Sequence, residues 1–406
     1  MWELIRANQR KSALLFLCMG ILLLLLGYTI GSSLIPDGGG SFGVLIALGI
    51  WIILSIISIA FGSNILLAIS GAKEVTPEVH QQLFNVVEEM KIAAGLPKIP
   101  KIYIINEAAP NAFATGINPE NSAIAVTAGL LAKLNRDELQ GVIAHETAHI
   151  YNRDIRFMTL AGIMLGAIVL ISEIYFRGMW ISGGGRRYES KSSRSSGQAQ
   201  LIIMIAAIAL AVLAPILARL LYLAISRKRE YLADATAVRF TRYPEGLASA
   251  LEKISQSPDD LPTANKVTAP MFIVNPLKEK GKKLADLTST HPPISERIRI
   301  LRSISQGAGF MDYQAAFDKI KRKPSPIIPP SALANQEKVE IRKPEESAIT
   351  RESTKQKKRT LGDIMMAVNS YSFITCVCGM KIKVPAGFGT NKPHLVCPRC
   401  GYRHKL

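Results

Sequence analysis

The sequence predicts a mainly helical α+β protein that is integrated in a membrane, with a small β-sheet and a small C-terminal module. Three observations predict this class: long hydrophobic stretches, short β-branched runs between amphipathic helices, and two cysteine pairs near the C-terminus. The formal net charge is +18, and much of it lies beside the hydrophobic stretches or after Lys321. Anionic lipid therefore explains the charge more simply than nucleic acid does.

The first two hydrophobic stretches are predicted to form a transmembrane hairpin over residues 1–72. Residues 12–36 and 38–72 contain no charged residue, and both exceed the roughly 20 residues that a spanning helix needs. Arg6 and Arg10 precede the first stretch and Lys73 follows the second. Because basic flanks stay on the cytoplasmic side, both ends of the hairpin should face the cytoplasm.

A second hydrophobic pair, at about residues 157–176 and 197–225, is predicted to interrupt the domain at 73–320. Its first member contains Glu173, which is costly inside a bilayer unless it faces protein, water or a head group. The loop 177–194 holds five basic residues and one acid, although two spanning helices would place it outside. From the sequence, the pair either spans the membrane or lies partly embedded in it.

Between the two pairs, the sequence predicts a helix that ends near Gly95 and then short strands at residues 102–105, 112–115 and 123–126. We expect one exposed strand edge, and Asn111, Ala112 and Phe113 are the candidates for it. An extended substrate peptide can add to such an edge. From the pattern alone, an ordinary core strand is an equally good interpretation.

Residues 145–149 read HETAH, and this pentapeptide indicates metal chemistry. His145 and His149 project from one face of a helix and can share one metal ion, while Glu146 can take a proton from an attacking water. Asn135 is predicted to cap this helix, and Gly141, on the histidine face, should leave room for a ligand. The alternative is a pair of core histidines in an amphipathic helix.

Catalytic zinc usually takes three protein ligands, so the motif needs another donor. Glu230 is the candidate, because it follows the last hydrophobic stretch on a predicted helical segment. Asp234 comes one turn later and can accept a hydrogen bond from a ligand histidine. The alternative for these two acids is a salt-bridged pair on a basic helix.

Together with HETAH, residues 152–154, 230–234 and 289–293 and Arg297 resemble the HtpX-type membrane zinc metalloproteases, which are relatives of the CAAX prenyl proteases. The resemblance covers residues 1 to about 305. It implies a gluzincin domain interrupted by a hydrophobic helical pair.

By the same resemblance, His145, His149 and Glu230 bind zinc and Glu146 is catalytic. It also implies that Asn111 lies on the substrate-side strand, that His291 reaches the reacting centre, and that Asp234 supports a ligand.

The resemblance further implies a multi-pass protein of the cell's inner or plasma membrane, with its active site facing the cytoplasm. Its partners would be membrane lipid and protein substrates, with misfolded membrane proteins degraded as quality control, often under stress. The alternative function is an inactive membrane scaffold whose C-terminal module recruits a protein or nucleic-acid partner.

The chain changes character after the protease domain. Residues 321–360 are charged and rich in proline, which predicts a flexible linker. Residues 361–406 are predicted to form a zinc ribbon, with four thiolate ligands at Cys376, Cys378, Cys397 and Cys400. Nucleic acid is not the favoured partner of this module, because its sequence lacks interleaved aromatic residues for base stacking.

Overall fold

A computed structural model of the chain describes residues 2–35, 37–182, 194–259, 261–262, 271–274, 291–321, 326–328, 330–333, 339–343, 354–386, 388 and 394–405. Within these residues the protein is mainly helical, with a four-stranded sheet and two two-stranded hairpins. This architecture confirms the predicted α+β class. Most of the basic loop at 177–194, and Ser289 and Thr290 of the resemblance, lie outside the described residues.

Four helices in the described part of the chain are long and apolar enough to cross a membrane: α1 (Trp2–Leu34), α2 (Gly39–Ile69), α6 (Asp154–Ser182) and α7 (Arg194–Thr241). The second pair is thus long enough to span as fully as the first. Glycines let α1 and α2 approach closely, since a Cβ atom on Gly31 would lie 2.1 Å from the carbonyl oxygen of Gly39. Small residues at such crossings are typical of packed membrane helices.

The sheet lies beside the membrane helices and contains β1 (Ala72–Glu74), β2 (Lys101–Ile105), β3 (Ala112–Asn118) and β4 (Asn121–Thr127). Its order is β1-β2-β4-β3, with β2 and β4 parallel and the other pairs antiparallel. The three predicted strands are confirmed. Strand β3 lies at one edge of the sheet, yet its first five residues are buried.

Helix α3 (Gln81–Ala94) ends at Gly95, and the short α4 (Ala128–Lys133) leads into α5 (Arg136–Tyr151), which carries the HETAH motif. Asn135 and Glu138 form the reciprocal capping hydrogen bonds that the sequence predicts.

Gly141 serves a different purpose from the expected one. A Cβ atom there would lie 2.6 Å from the backbone nitrogen of Leu247 on α8 (Pro244–Ser255). The glycine therefore makes room for a neighbouring helix rather than for a ligand.

The C-terminal part contains four further helices, α9 (Ile294–Arg302), α10 (Phe310–Lys321), α11 (Pro330–Leu333) and α12 (Thr354–Val368). Two hairpins follow, β5–β6 (Ser372–Thr375 and Lys381–Val384) and β7–β8 (His394–Val396 and Arg403–Lys405).

The segment predicted as a flexible linker is partly bound to the protease. Val339 and Ile341 pack against the main hydrophobic core. Ile364 and Val368 of α12, which fall in the module predicted at 361–406, also belong to that core. Apolar side chains within an otherwise polar stretch explain the difference, because their burial stabilises the docked segment.

Candidate active site

Three side chains from two helices converge on one buried point. His145 and His149 come from α5 and Glu230 from α7, and their ligand atoms all lie within 4.8 Å of one another. The Nε2 atoms of His145 and His149 are each 3.5 Å from an oxygen of Glu230. The spacing of four residues on α5 places the two imidazoles on the same face of that helix. Helix α7 carries Glu230 just after its apolar part and brings the Glu230 carboxylate opposite the imidazoles.

The Nδ1 atom of each histidine faces a second carboxylate. His145 Nδ1 is 3.0 Å from Asp234 Oδ1, and His149 Nδ1 is 3.3 Å from Asp154 Oδ2. Such contacts fix the tautomer and the orientation of a metal-binding imidazole. Both rings are therefore held with Nε2 directed toward Glu230.

The donor set fits zinc. Two imidazole nitrogens and one carboxylate are the protein ligands of many catalytic zinc sites, which keep another position open for water. Glu230 Oε2 is buried and makes no hydrogen bond among the described residues, and its contacts with His145 Nε2 and Arg297 Nη1 are both 3.5 Å long. A buried carboxylate oxygen with only such long contacts can accept a bound cation, which fits the donor set.

The comparisons with known proteins agree with this geometry. The model of peptidase family M48 matches residues 77–305, which is more than half of the chain. The chain belongs to peptidase family M48. It is a metallopeptidase of the HtpX type in an integral membrane protein, and the predicted resemblance is confirmed.

Two relatives are each named "Protease HtpX homolog". The one from Dictyoglomus thermophilum is 44% identical over 311 residues, which is 77% of this chain and 97% of the relative. The one from Caldanaerobacter subterraneus subsp. tengcongensis is 42% identical over 306 residues, 75% of this chain and 98% of the relative. A crystal structure of S. mikatae Ste24p matches at a TM-score of 0.37 and 19% identity, covering 74% of this chain and 67% of that one.

In this M48 peptidase, Glu146 lies beside the convergence point and against the edge strand. Its side chain is buried, and the backbone of Ala114 on β3 hydrogen-bonds to its carboxylate. Burial raises the pKa of Glu146 above its usual value, although His145 and His149 partly offset this. A carboxylate with a raised pKa is a better proton acceptor near neutral pH.

The predicted substrate-side residues of the M48 peptidase contact another part of the chain. The backbone nitrogen of Ile273 donates to the carbonyl of Ala112 at 2.9 Å, and the Asn111 amide donates to the carbonyl of Val274 at 2.8 Å. The ring of Phe113 packs edge-on against Phe272, with centroids 5.1 Å apart. The start of the β3 edge is therefore covered by residues 271–274 rather than exposed.

His291 precedes α9 and lies in the same buried cluster. Its Nε2 atom is 3.6 Å from Glu230 Oε1, and its side chain is only 4% exposed. Burial lowers the pKa of His291 to about 4, with Arg297 reinforcing the effect and Glu230 opposing it. The ring is therefore neutral at physiological pH and keeps one N–H for donation.

The sequence reasoning missed the roles of three residues around the cluster. From the sequence, Asp154 and Arg297 were named only as part of the resemblance, and Arg229 was assigned no role. The structure places Arg297 in a bidentate contact with Asp234 at 2.7 and 2.9 Å. Arg229 lies 3.5 Å from Asp154 and against the ring of Phe157. The sequence did contain a signal for such roles, namely basic residues that stand beside apolar ones. A basic side chain that becomes buried needs an acidic partner.

Proposed function

We propose that this chain is an integral-membrane zinc endopeptidase that cleaves membrane or membrane-associated proteins at the cytoplasmic face, as proteolytic quality control. The observation that carries the proposal is the convergence of His145, His149 and Glu230 with Glu146 beside them. Membership of family M48 and the candidate membrane helices support the peptidase class and the membrane setting.

Each residue of the cluster has a proposed role. His145, His149 and Glu230 would hold a zinc ion, which would supply the Lewis acidity needed to polarise the scissile carbonyl and to acidify water. Glu146 takes the proton of the attacking water and passes it to the leaving amine. His291 donates a hydrogen bond to the carbonyl oxygen as negative charge develops there.

The part of strand β3 that follows Phe113 is the proposed substrate guide, and Asn111, Ala112 and Phe113 hold the segment 271–274 at its start. Support comes from the backbone contact between Ala114 and Glu146, which puts this strand directly beside the proposed proton acceptor. An extended peptide that pairs with the β3 edge would present its carbonyl groups to the cluster. Asn111 and Ala112 also anchor residues 271–274, so the substrate would pair beyond that segment.

The proposed orientation rests on charge and topology. Arg6, Arg10 and Lys73 flank the first hairpin, and basic flanks favour the cytoplasmic side. The sheet and α5 follow α2 directly, while α6 and α7 return the chain to the same side. The active site is therefore proposed to face the cytoplasm of a cell's inner or plasma membrane, where the exposed parts of membrane proteins are accessible.

A second zinc ion is proposed for the C-terminal hairpins. The four cysteine sulfurs lie within 4.8 Å of one another, with Cys376 and Cys400 at 3.4 Å and Cys378 and Cys397 at 3.8 Å. Gly379 and Gly401 have φ values of 79° and 74°, which suit the turns of a zinc knuckle. This ion would join two hairpins that are too small to build a core alone.

The decisive experiment compares purified full-length wild type with Glu146→Gln, with zinc content measured for both. We expect the variant to keep its zinc while cleavage of a membrane-protein substrate falls at least about 100-fold, because the proton acceptor is lost. Glu88→Gln, an exposed change on α3, is the control and should cleave normally. Wild-type cleavage rates in zinc-loaded Glu146→Gln would disprove the assignment, and a zinc-loaded wild type without cleavage would favour the scaffold alternative.

A further inference from the structure

A short segment beyond the M48 domain, residues 339–343, contacts both helices that carry the proposed zinc ligands. We call this segment the strap. The family model ends at residue 305, so the strap lies outside the matched domain. The backbone nitrogen of Ala308 donates to the carbonyl of Val339 at 2.8 Å, and Ile341 packs against the hydrophobic core. These contacts fix the strap on the protease surface.

Arg342 of the strap contacts the first turns of α5. Its Nη2 atom is 2.6 Å from Asp137 Oδ1 and donates to Gln140 Oε1 at 3.1 Å. The Asp137 side chain is 11% exposed and that of Arg342 is 26% exposed. A partly desolvated ion pair of this kind holds its partners more firmly than an exposed one.

The same residue also contacts the end of α7. The backbone nitrogen of Arg342 donates to the carbonyl of Arg242 at 2.7 Å, directly after the last residue of that helix. Its guanidinium lies over the ring of Tyr243, 5.3 Å from the centroid. Arg342 therefore links the start of the helix that carries His145 and His149 to the end of the helix that carries Glu230.

We propose that Arg342 is a positioning residue, through which the C-terminal extension holds α5 and α7 in the register that the zinc ligands need. The inference rests on the proposed zinc site. Arg342 touches none of the three ligands, because Asp137 lies about two helical turns before His145 and Arg242 about three turns after Glu230. Its effect passes along α5 and α7, which meet where His145 and His149 contact Glu230.

The test measures how fast zinc leaves the active site of the full-length protein in detergent micelles. All variants carry Cys376→Ser and Cys397→Ser, which removes the ribbon metal from the signal. Zinc transfer to an excess of a colorimetric chelator is then followed after mixing. We expect Arg342→Ala to release zinc about 3- to 10-fold faster than the background protein, which is the usual size of coupling through packed elements.

Two controls separate positioning from general destabilisation. Lys343→Ala changes the exposed neighbour in the strap and should release zinc at the background rate. Lys101→Ala breaks the ion pair to Glu74, which joins β2 to β1 and touches none of α5, α7 and α9. If Arg342 positions the ligands, Lys101→Ala leaves zinc release unchanged, and Asp137→Asn combined with Arg342→Ala adds little to either single change.

The inference is overturned if Arg342→Ala matches Lys343→Ala, or if Lys101→Ala accelerates release as much as Arg342→Ala does. Its failure is distinguishable from failure of the proposed function. Zinc retained by His149→Ala would disprove the ligand set itself. Zinc lost by His149→Ala together with unchanged release from Arg342→Ala would disprove only the role of the strap.

Discussion

The two histidines of the active site receive the same kind of support, but with different tightness. His145 faces Asp234 at 3.0 Å, and Arg297 grips that aspartate through two hydrogen bonds of 2.7 and 2.9 Å. His149 faces Asp154 at 3.3 Å, and the Nε atom of Arg229 lies 3.5 Å from Asp154 Oδ1. One histidine is held by a closed ionic network and the other by a looser one.

The sources of the two supports differ as well. Helix α7 contributes to both supports, through Asp234 beside His145 and through Arg229 beside Asp154. The other members differ, because Arg297 comes from α9 and Asp154 from the start of α6. Arg229 also hydrogen-bonds to Ser12 of α1, so the support of His149 depends on contacts among three of the apolar helices.

Of the three variants that test this comparison, Asp234→Asn should lower zinc affinity and kcat/KM the most. The amide keeps the shape of the carboxylate but leaves Arg297 without its charged partner and weakens the bond to His145. We expect zinc affinity and kcat/KM to fall about 100-fold. Competition with a chelator of known affinity gives the first quantity, and Asp37→Asn, an exposed change between α1 and α2, is the matched control.

Asp154→Asn should have a smaller effect, about 10-fold on the same two quantities, because the contacts of Asp154 are longer. The comparison is supported if Asp234→Asn and Asp154→Asn differ more in zinc affinity than in thermal stability. An effect of Asp154→Asn equal to or above that of Asp234→Asn would show that contact length does not rank the two supports.

The smallest expected effect belongs to Ser12→Ala, which removes the hydrogen bond between α1 and Arg229. We expect zinc affinity to fall about twofold, since a hydrogen bond to a charged group two contacts away from the ligand contributes little. Ser41→Ala on α2 is exposed and should change nothing. A loss as large as that of Asp154→Asn would mean that the membrane hairpin controls His149 directly.

Local patterns in the sequence were sufficient to predict most of the elements and the three side chains that converge, His145, His149 and Glu230. The capped helix of HETAH follows from Asn135 and Glu138, which form the predicted reciprocal hydrogen bonds. Glu230 could be chosen because the hydrophobic pair returns the chain to the side of the membrane on which α5 lies, and Glu230 is the first acidic residue after that pair. These features depend on the spacing of residues along one helix or on the side of the membrane to which the chain returns.

The rest depends on contacts between distant segments, which no local pattern encodes. Arg342 reaches Asp137 across more than half of the chain, and its stretch looked like a linker because its composition is polar. The space beside Gly141 is filled by α8, which the sequence could not place there. The covered edge of β3 similarly depends on residues 271–274, which the sequence did not predict to lie there.

Helix α7 runs without a break from its apolar half to Thr241 and carries Glu230 on the way. Over 48 residues it forms a rod about 72 Å long at the usual helical rise. Among the described residues, no loop separates the part that lies in lipid from the part that bears the carboxylate. The apolar half of α7 and Glu230 thus belong to one continuous helix, so a change in the tilt of the part that follows Pro215 would displace the Glu230 carboxylate.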